Sequence, residues 1–372
     1  PGVTYYQGQY QIGPLITPGI LQSQLGSGTQ TASDISSTAQ QFLHASEDVY
    51  ALYGQYEIKQ GPLAVVGGVR YEKTHGRFDA LGTTTDDIAP FPVTGSRQYS
   101  NFFPSLQAKY EVRPDLQVRA AYSSTIARPG FNQVNPSLFV DTGANIISRG
   151  NPALKPATAN SFDLSIEQYL ADAGVLSFGI FDKEIKDYIV SSIINDPNGG
   201  GVVLSGLTGP VKIATYSNAN KSYARGFELN YEQRFKNLPG LLSGLGAGFN
   251  WTHVNSRFEI RPGEYATLPS SSKNTANATL FYERDGLGLR LAGYYVSKDL
   301  FGIQGPGIDI YNSARFSMDF GGTMAINKHL TAYFNAKNLL NTPHRFEEGI
   351  SERVYQREFY GKTYQLGLNF NY

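Results

Sequence analysis

The stretch "GKTYQLGLNFNY" (residues 361–372) sets Tyr364, Leu366, Leu368, Phe370 and Tyr372 on every second position, with Thr363, Gln365, Gly367, Asn369 and Asn371 in the gaps. Side chains alternate across a β-strand, so this segment has one apolar face and one polar face, and its last residue is aromatic. The same alternation recurs upstream. Leu116, Val118, Ala120 and Tyr122 oppose Gln117, Arg119, Ala121 and Ser123; Phe227, Leu229 and Tyr231 oppose Glu228, Asn230 and Glu232; Phe316, Met318 and Phe320 oppose Arg315, Ser317 and Asp319.

Connections between these segments alternate in length. Short turns fall at residues 59–62, 112–115, 170–174, 236–240, 284–287 and 326–328. Between them lie long connections at about 11–43, 80–96, 128–158, 190–212, 256–273, 299–312 and 339–360. Tight turns at one end and long loops at the other describe an antiparallel up-and-down meander. Counting from "TYYQGQYQI" gives about 14 strands, most of 10 or more residues, long enough for tilted strands to cross a bilayer.

Composition agrees. Forty glycines, 25 tyrosines and 22 phenylalanines beside two methionines and one tryptophan suit strands and turns. Lys+Arg and Asp+Glu both number 31, so the net charge is zero and no field points to nucleic acid. The longest nearly uninterrupted apolar run, "GPLAVVGGV" at 61–69, is far short of the roughly 20 residues a spanning helix needs. Cysteine is absent, which excludes disulfides and thiolate metal sites. The expected fold is therefore an all-β transmembrane barrel. In hydrocarbon each unpaired backbone group costs several kcal/mol, so the strands must close without an edge. A wet lumen admits Arg119, Glu228, Glu232, Arg290 and Asp319 at little cost. Tyr and Phe near the strand ends would form interfacial girdles.

Two stretches resemble a known family. The first is "SSTIARPGFNQVNPSLFV" followed by "SRGNPALKPATANSFDLSIEQYL"; the second is "LTAYFNAKNLLNTPHRFEEGISERVYQREFYGKTYQLGLNFNY". Together they resemble the C-terminal barrel of TonB-dependent outer-membrane receptors, in an ARP-like strand end, a G-N-P-x-L-K-P loop and a final N-L-x-N … Y-G-x-T-Y-x-L-G-L succession. The resemblance implies a cell outer-membrane location in a Gram-negative organism and a 22-stranded barrel filled by a plug. Residues 1–372 are then expected to be the C-terminal portion of that barrel, with the first strands, plug and TonB box outside this chain. It also implies that Phe370 and Tyr372 form the signal read by the barrel-assembly machinery; a plain girdle role is the other reading of the same rings.

The implied function is TonB-dependent uptake of a scarce organic nutrient, with a carbohydrate-like ligand favoured over an iron chelate. The implied partners are outer-membrane lipid, the TonB complex acting through the plug, the N-terminal remainder of the receptor and a small-molecule ligand. A plugless passive pore or scaffold is the alternative, and an outer-membrane enzyme the third reading. Candidate ligand contacts lie in the loop at 128–158: Arg128, Phe131, Asn132, Asn135, Phe139, Asp141 and Arg149 combine rings with polar forks. The charged loop at 339–360 offers a second substrate-binding candidate, with a solvated loop that pairs with itself the more frequent outcome for such mixed charge. The five histidines are scattered, no nucleophile motif is present, and no catalytic residue, metal or cofactor is expected.

Overall fold

A computed structural model describes residues 3–5, 10–12, 42–84, 90–196 and 211–370. Strands β1 (Val3–Tyr5) and β2 (Tyr10–Ile12) pair with each other, apart from the main sheet. The main wall begins with β3 (Leu43–Gln60), β4 (Leu63–Thr84), β5 (Phe91–Arg113) and β6 (Leu116–Ala127). A four-residue helix α1 (Phe131–Val134) and short strands β7 (Leu138–Asp141) and β8 (Ile146–Arg149) follow. The wall resumes with β9 (Ala157–Leu170) and β10 (Gly174–Lys186). Strands β11 (Ile189–Asp196) and β12 (Val211–Asn218) rise above it before β13 (Ser222–Arg234) and β14 (Leu245–Arg261) return. After β15 (Glu264–Ala266) come β16 (Asn274–Arg284), β17 (Leu287–Val296), β18 (Asp299–Gly302), β19 (Ile310–Asn312), β20 (Arg315–Ala325) and β21 (Leu330–Lys337). The chain ends with β22 (His344–Glu348), β23 (Val354–Glu358) and β24 (Thr363–Phe370).

Antiparallel ladders join β3–β4–β5–β6–β9–β10–β13–β14–β16–β17–β20–β21–β24, thirteen wall strands among the described residues. The sequence count of about 14 took residues 4–12 as one more wall strand. Instead Tyr5 pairs with Tyr10, so the chain reverses within that segment. With thirteen strands, β3 and β24 run in the same direction, toward the short-turn end. Among the described residues no ladder joins these two, and the sheet is a partial barrel. The six expected short turns all connect consecutive wall strands.

Register fixes which face each side chain takes. Tyr71, Phe102, Leu106, Tyr122, Phe162, Leu164, Ile180, Leu280 and Leu366 fall on one face and form a continuous exposed apolar belt. Leu116 and Val118 share that face, as do Leu366, 80% exposed, and Leu368, 64% exposed. Rings stack along the belt: Tyr71–Phe102 and Tyr122–Phe162 lie 4.9 Å apart, and Trp251 meets Phe227 edge-on at 4.9 Å. The opposite face carries Arg119 with Glu167 at 3.3 Å, together with Glu228, Glu232, Arg290 and Asp319. A polar cleft of about 410 Å3 is cut into it between Asn230, Asn277, Glu283 and Arg290.

Above the belt the polarity inverts. On β4, Leu63, Val65, Val69 and Tyr71 face outward; beyond them Lys73, His75, Arg77 and Asp79 take that face, while Phe78 and Ala80 point inward and are buried. Strand β14 does the same, with Phe249 and Trp251 outward but Phe258 and Ile260 buried inside. Here water surrounds the sheet and the interior must be dry.

The filling comes from segments the sequence assigns to long connections, and this corrects that reading. Strand β7 runs parallel to the end of β4 (Gly82 beside Leu138), and β8 runs parallel to β12 (Ile213 beside Ile147). The ladder β4–β7–β8–β12–β11 thus arches over β5, β6, β9 and β10. Because β11 continues the chain of β10, a small ring closes above the membrane. Leu138, Val140, Ile147, Val211 and Ile213 form one core, and Phe78, Val134 and Leu154 another. A third, with Val190, Phe258, Ile260, Leu268 and Leu300, lies beside the sheet β18–β19–β22–β23.

Candidate ligand site at the extracellular mouth

Long loops mark the extracellular end of outer-membrane barrels, so the ring and its cores cap the outer mouth. The candidate residues at 128–149 all lie in this cap, and the structure gives them different tasks. Arg128, at the end of β6, is drawn into a charge cluster with β3–β5. It donates through Nη2 to Glu72 and lies 3.9 Å from Glu47, while Arg70 donates to Glu72 at 2.6 Å. Arg97 donates to Glu47 at 2.5 Å, and its guanidinium packs against the rings of Phe78 and Tyr99 at 5.3 and 5.7 Å. The cluster sits where β4 changes polarity, at the foot of the cap.

Asn135 and Asp141 are occupied by turns: Asn135 Oδ1 accepts from the Ser137 amide at 2.9 Å, and Asp141 Oδ1 from the Ala144 amide at 2.9 Å. Phe131 and Asn132 are exposed on α1, with Phe131 at 51%. Phe139 and Arg149 are half-buried on the β7–β8 hairpin. The seven residues therefore form one structural unit without converging on one point. Phe370 faces outward beside the His329 ring at 6.3 Å, and Tyr372 lies outside the described residues.

The "RGNPALKP" stretch is the staple of this unit. A Cβ on Gly150 would be driven into the Asn135 carbonyl, whose oxygen accepts from the Gly150 amide at 3.0 Å. Asn151 donates from its amide nitrogen to the Tyr216 carbonyl at 2.9 Å, and Leu154 is buried beneath. Asn218 exchanges two 2.9 Å hydrogen bonds with the Lys155 backbone. In "KNLLNT", Asn338 and Asn341 adopt left-handed backbone, and Asn338 ties Thr342 to Gly361. That tie aligns the upper hairpin β22–β23 with the wall hairpin β21–β24.

The charged segment at 339–360 pairs with itself and its neighbours. Buried Glu347 accepts from Lys298 at 2.8 Å and from Ser313 Oγ at 2.6 Å, with Arg345 at 3.7 Å. Burial acts to raise the Glu347 carboxyl, but these donors outweigh it and hold it below its ordinary value.

Sequence reasoning missed Glu47, Glu72 and Arg97. For Glu72 the available signal was "VRYEKTHGRF", where charge intrudes on both faces of a strand that begins as an apolar run. It also missed Lys183 and Tyr188, which line a second cavity beneath α1 of about 360 Å3. An apolar hollow of about 510 Å3 beside Leu106, Tyr122, Phe162 and Leu164 lies on the outward face, where Ala108 and Ala120 leave room between larger neighbours. It belongs to the lipid-facing surface.

Residues 2–339 match the family model described as TonB dependent receptor-like, beta-barrel. Among solved structures, the ferric-catecholate import receptor Fiu from K12 E. coli is similar at TM-score 0.62 and 14% identity, covering 88% of this chain and 45% of that one. The ferric enterobactin receptor PfeA from Pseudomonas aeruginosa, in a Q482A mutant with enterobactin, gives 0.60 and 17%, covering 88% and 54%. The copper transporter OprC gives 0.64 and 13%, covering 88% and 48%. The chain spans about half the length of these structures. With its lipid-facing belt, wet inner wall and matched domain, this chain belongs to the TonB-dependent receptor β-barrel family of the outer membrane.

Proposed function

We propose that the chain is the C-terminal portion of the barrel of a receptor for TonB-dependent uptake, presenting ligand at the extracellular cap and passing it through the lumen. The observation that carries this reading is the built cap: two apolar cores and a strand arch hold the 128–158 segment above a polar inner wall, as a binding surface over a conduit requires. The plug, the first wall strands and the TonB contact belong to the rest of the receptor. Among the described residues β3 and β24 each have one edge without a ladder, and a strand edge in hydrocarbon needs such a complement. The ligand is a scarce organic nutrient, with a carbohydrate-like compound favoured over an iron chelate. Fiu and PfeA are receptors for ferric compounds and OprC is a copper transporter; at 13–17% identity these speak to fold, not to cargo.

The receptor is not read as an enzyme. A passive pore is the second reading, favoured only by the wet lumen. Uptake of the ligand by cells carrying the intact receptor separates the two: it should vanish when TonB is deleted, and uptake unchanged without TonB would falsify active transport. Deleting 128–158 is a poor probe of the binding site, since it strips β7, β8 and Leu154 from two cores. Point substitution of exposed Phe131 and Asn132 is the better one.

A further inference from the structure

The cavity beneath α1 is distinct from the exposed face of the cap and from the polar cleft lower in the wall. Its floor is the inner surface of β6 and β9, where Ala127, Ala157 and Ala159 leave space, and its volume is about 360 Å3, enough for a single-ring solute. Tyr188 closes one side, its ring held edge-on by Phe258 at 5.8 Å. Gln133 hangs from α1 with its Oε1 occupied by the Gly130 amide at 2.9 Å, which fixes the side chain and leaves the Nε2 donor for a solute. Thr125 adds a hydroxyl.

Charge decides what such a site would hold. Among the described residues the cations in the lining are Arg128 and Lys183, and no carboxylate lines it. Arg128 is compensated by Glu72 and Glu47. Lys183 is exposed to the interior and aligned in register with Ser161 and Ala224, so no acid lies directly across from it. The nearest acid on that face by register is Asp163, opposite Phe181, and it makes no ion pair with Lys183. One ammonium without an ion pair among the described residues, one fixed amide donor, a hydroxyl and an aromatic wall form a coherent set.

We infer that this chamber is a subsite for a small hydroxylated carboxylate of about one ring, with the carboxylate on Lys183, hydroxyls on Gln133 and Thr125, and the apolar ring face on Tyr188. The assignment deepens the receptor reading and rests on it. A carboxylate meeting a lysine there forms a charge-assisted bond that a neutral sugar of the same size does not.

The test is calorimetric titration of the intact receptor in detergent with galacturonate and with galactose, a pair differing in the carboxylate. Galacturonate should bind about tenfold more tightly. Lys183→Gln should abolish that preference and Lys183→Arg should preserve much of it, with surface proteolysis verifying that both variants insert and fold. Equal binding of the two sugars, binding of neither, or a preference unchanged by Lys183→Gln overturns the subsite. Binding in detergent needs no TonB. Loss of the preference with TonB-dependent uptake intact removes the chamber alone, whereas TonB-independent uptake removes the receptor reading alone.

Discussion

The lower and upper halves of strand β4 carry opposite rules within one element. From Leu63 to Tyr71 the odd positions are apolar and face lipid, while even-numbered Arg70 begins the polar interior; from Phe78 onward the even positions are apolar and buried, and odd-numbered Arg77 and Asp79 face water. Backbone geometry does not change between the halves; the solvent does. Burial of apolar surface is favourable wherever water is excluded, so the dry side is outside in the membrane and inside above it. The crossover is marked by Glu72, Arg97, Glu47 and Arg128, whose mutual pairing lets charges occupy a level that is neither lumen nor lipid.

That contrast breaks most forcefully in the cap. Phe78→Ala removes a fully buried ring from the core with Val134 and Leu154, at about 3–5 kcal/mol. Amide exchange in residues 138–154 should accelerate while exchange in β16–β21 stays unchanged. Uniform acceleration would mean that cap and wall do not behave as separate regions.

Within the membrane the effect is directional. Leu164→Arg, on the outward face, should cost about 2–4 kcal/mol and lower the yield of inserted protein, whereas Ser177→Arg, on the lumen face of the neighbouring strand and opposite Glu167, should cost close to nothing. Equal yields for the two would erase the inside–outside distinction. A steric version of the same test is Gly226→Ala, whose Cβ would be driven into the His253 carbonyl of the neighbouring strand; a slower-assembling barrel is expected in heat-modifiability gels.

The smallest expected effect concerns the upper sheet. The Glu347 carboxyl is held below its ordinary value, so its contribution is present at and above the usual carboxylate value of about 4.3 and is lost as pH falls through its lower folded value. Protease cleavage within residues 349–353 should rise only below about pH 4 in the parent protein. Glu347→Gln should flatten that dependence and leave Lys298 facing a neutral amide oxygen in place of a carboxylate, a loss of about 1 kcal/mol for a half-exposed amine.

The wall was legible in the sequence because its signal is local. Alternation over ten or more residues and a turn such as "KQGP" need no knowledge of distant partners, and Leu116, Val118, Leu366 and Leu368 all fall on the outward face as that alternation requires. The cap was not legible, because its strands are four residues long and pair in parallel with partners far along the chain, as Leu138 does with Gly82 and Ile147 with Ile213. The candidate residues at 128–149 all fall in the cap, but the partners that hold them there were not legible. Asn135 and Asp141 answer turn chemistry, and Arg128 meets acids from β3 and β4 that no spacing connects to it. Residues 4–12 were counted as one strand, yet a hairpin can carry the same letters as a longer strand.

The most direct test of the account is a cysteine scan along β4, which the absence of native cysteine makes clean. Single cysteines at each position from 63 to 80 would be labelled with a fluorophore and quenched in turn by a lipid-borne and a water-borne quencher in membranes. The account predicts lipid quenching at 63, 65, 69 and 71, water quenching at 64, 66, 68 and 70, and then a reversal in which 78 and 80 are shielded from both while 77 and 79 meet water. Protection that keeps the same parity from end to end, or lipid quenching at the even positions, would contradict it.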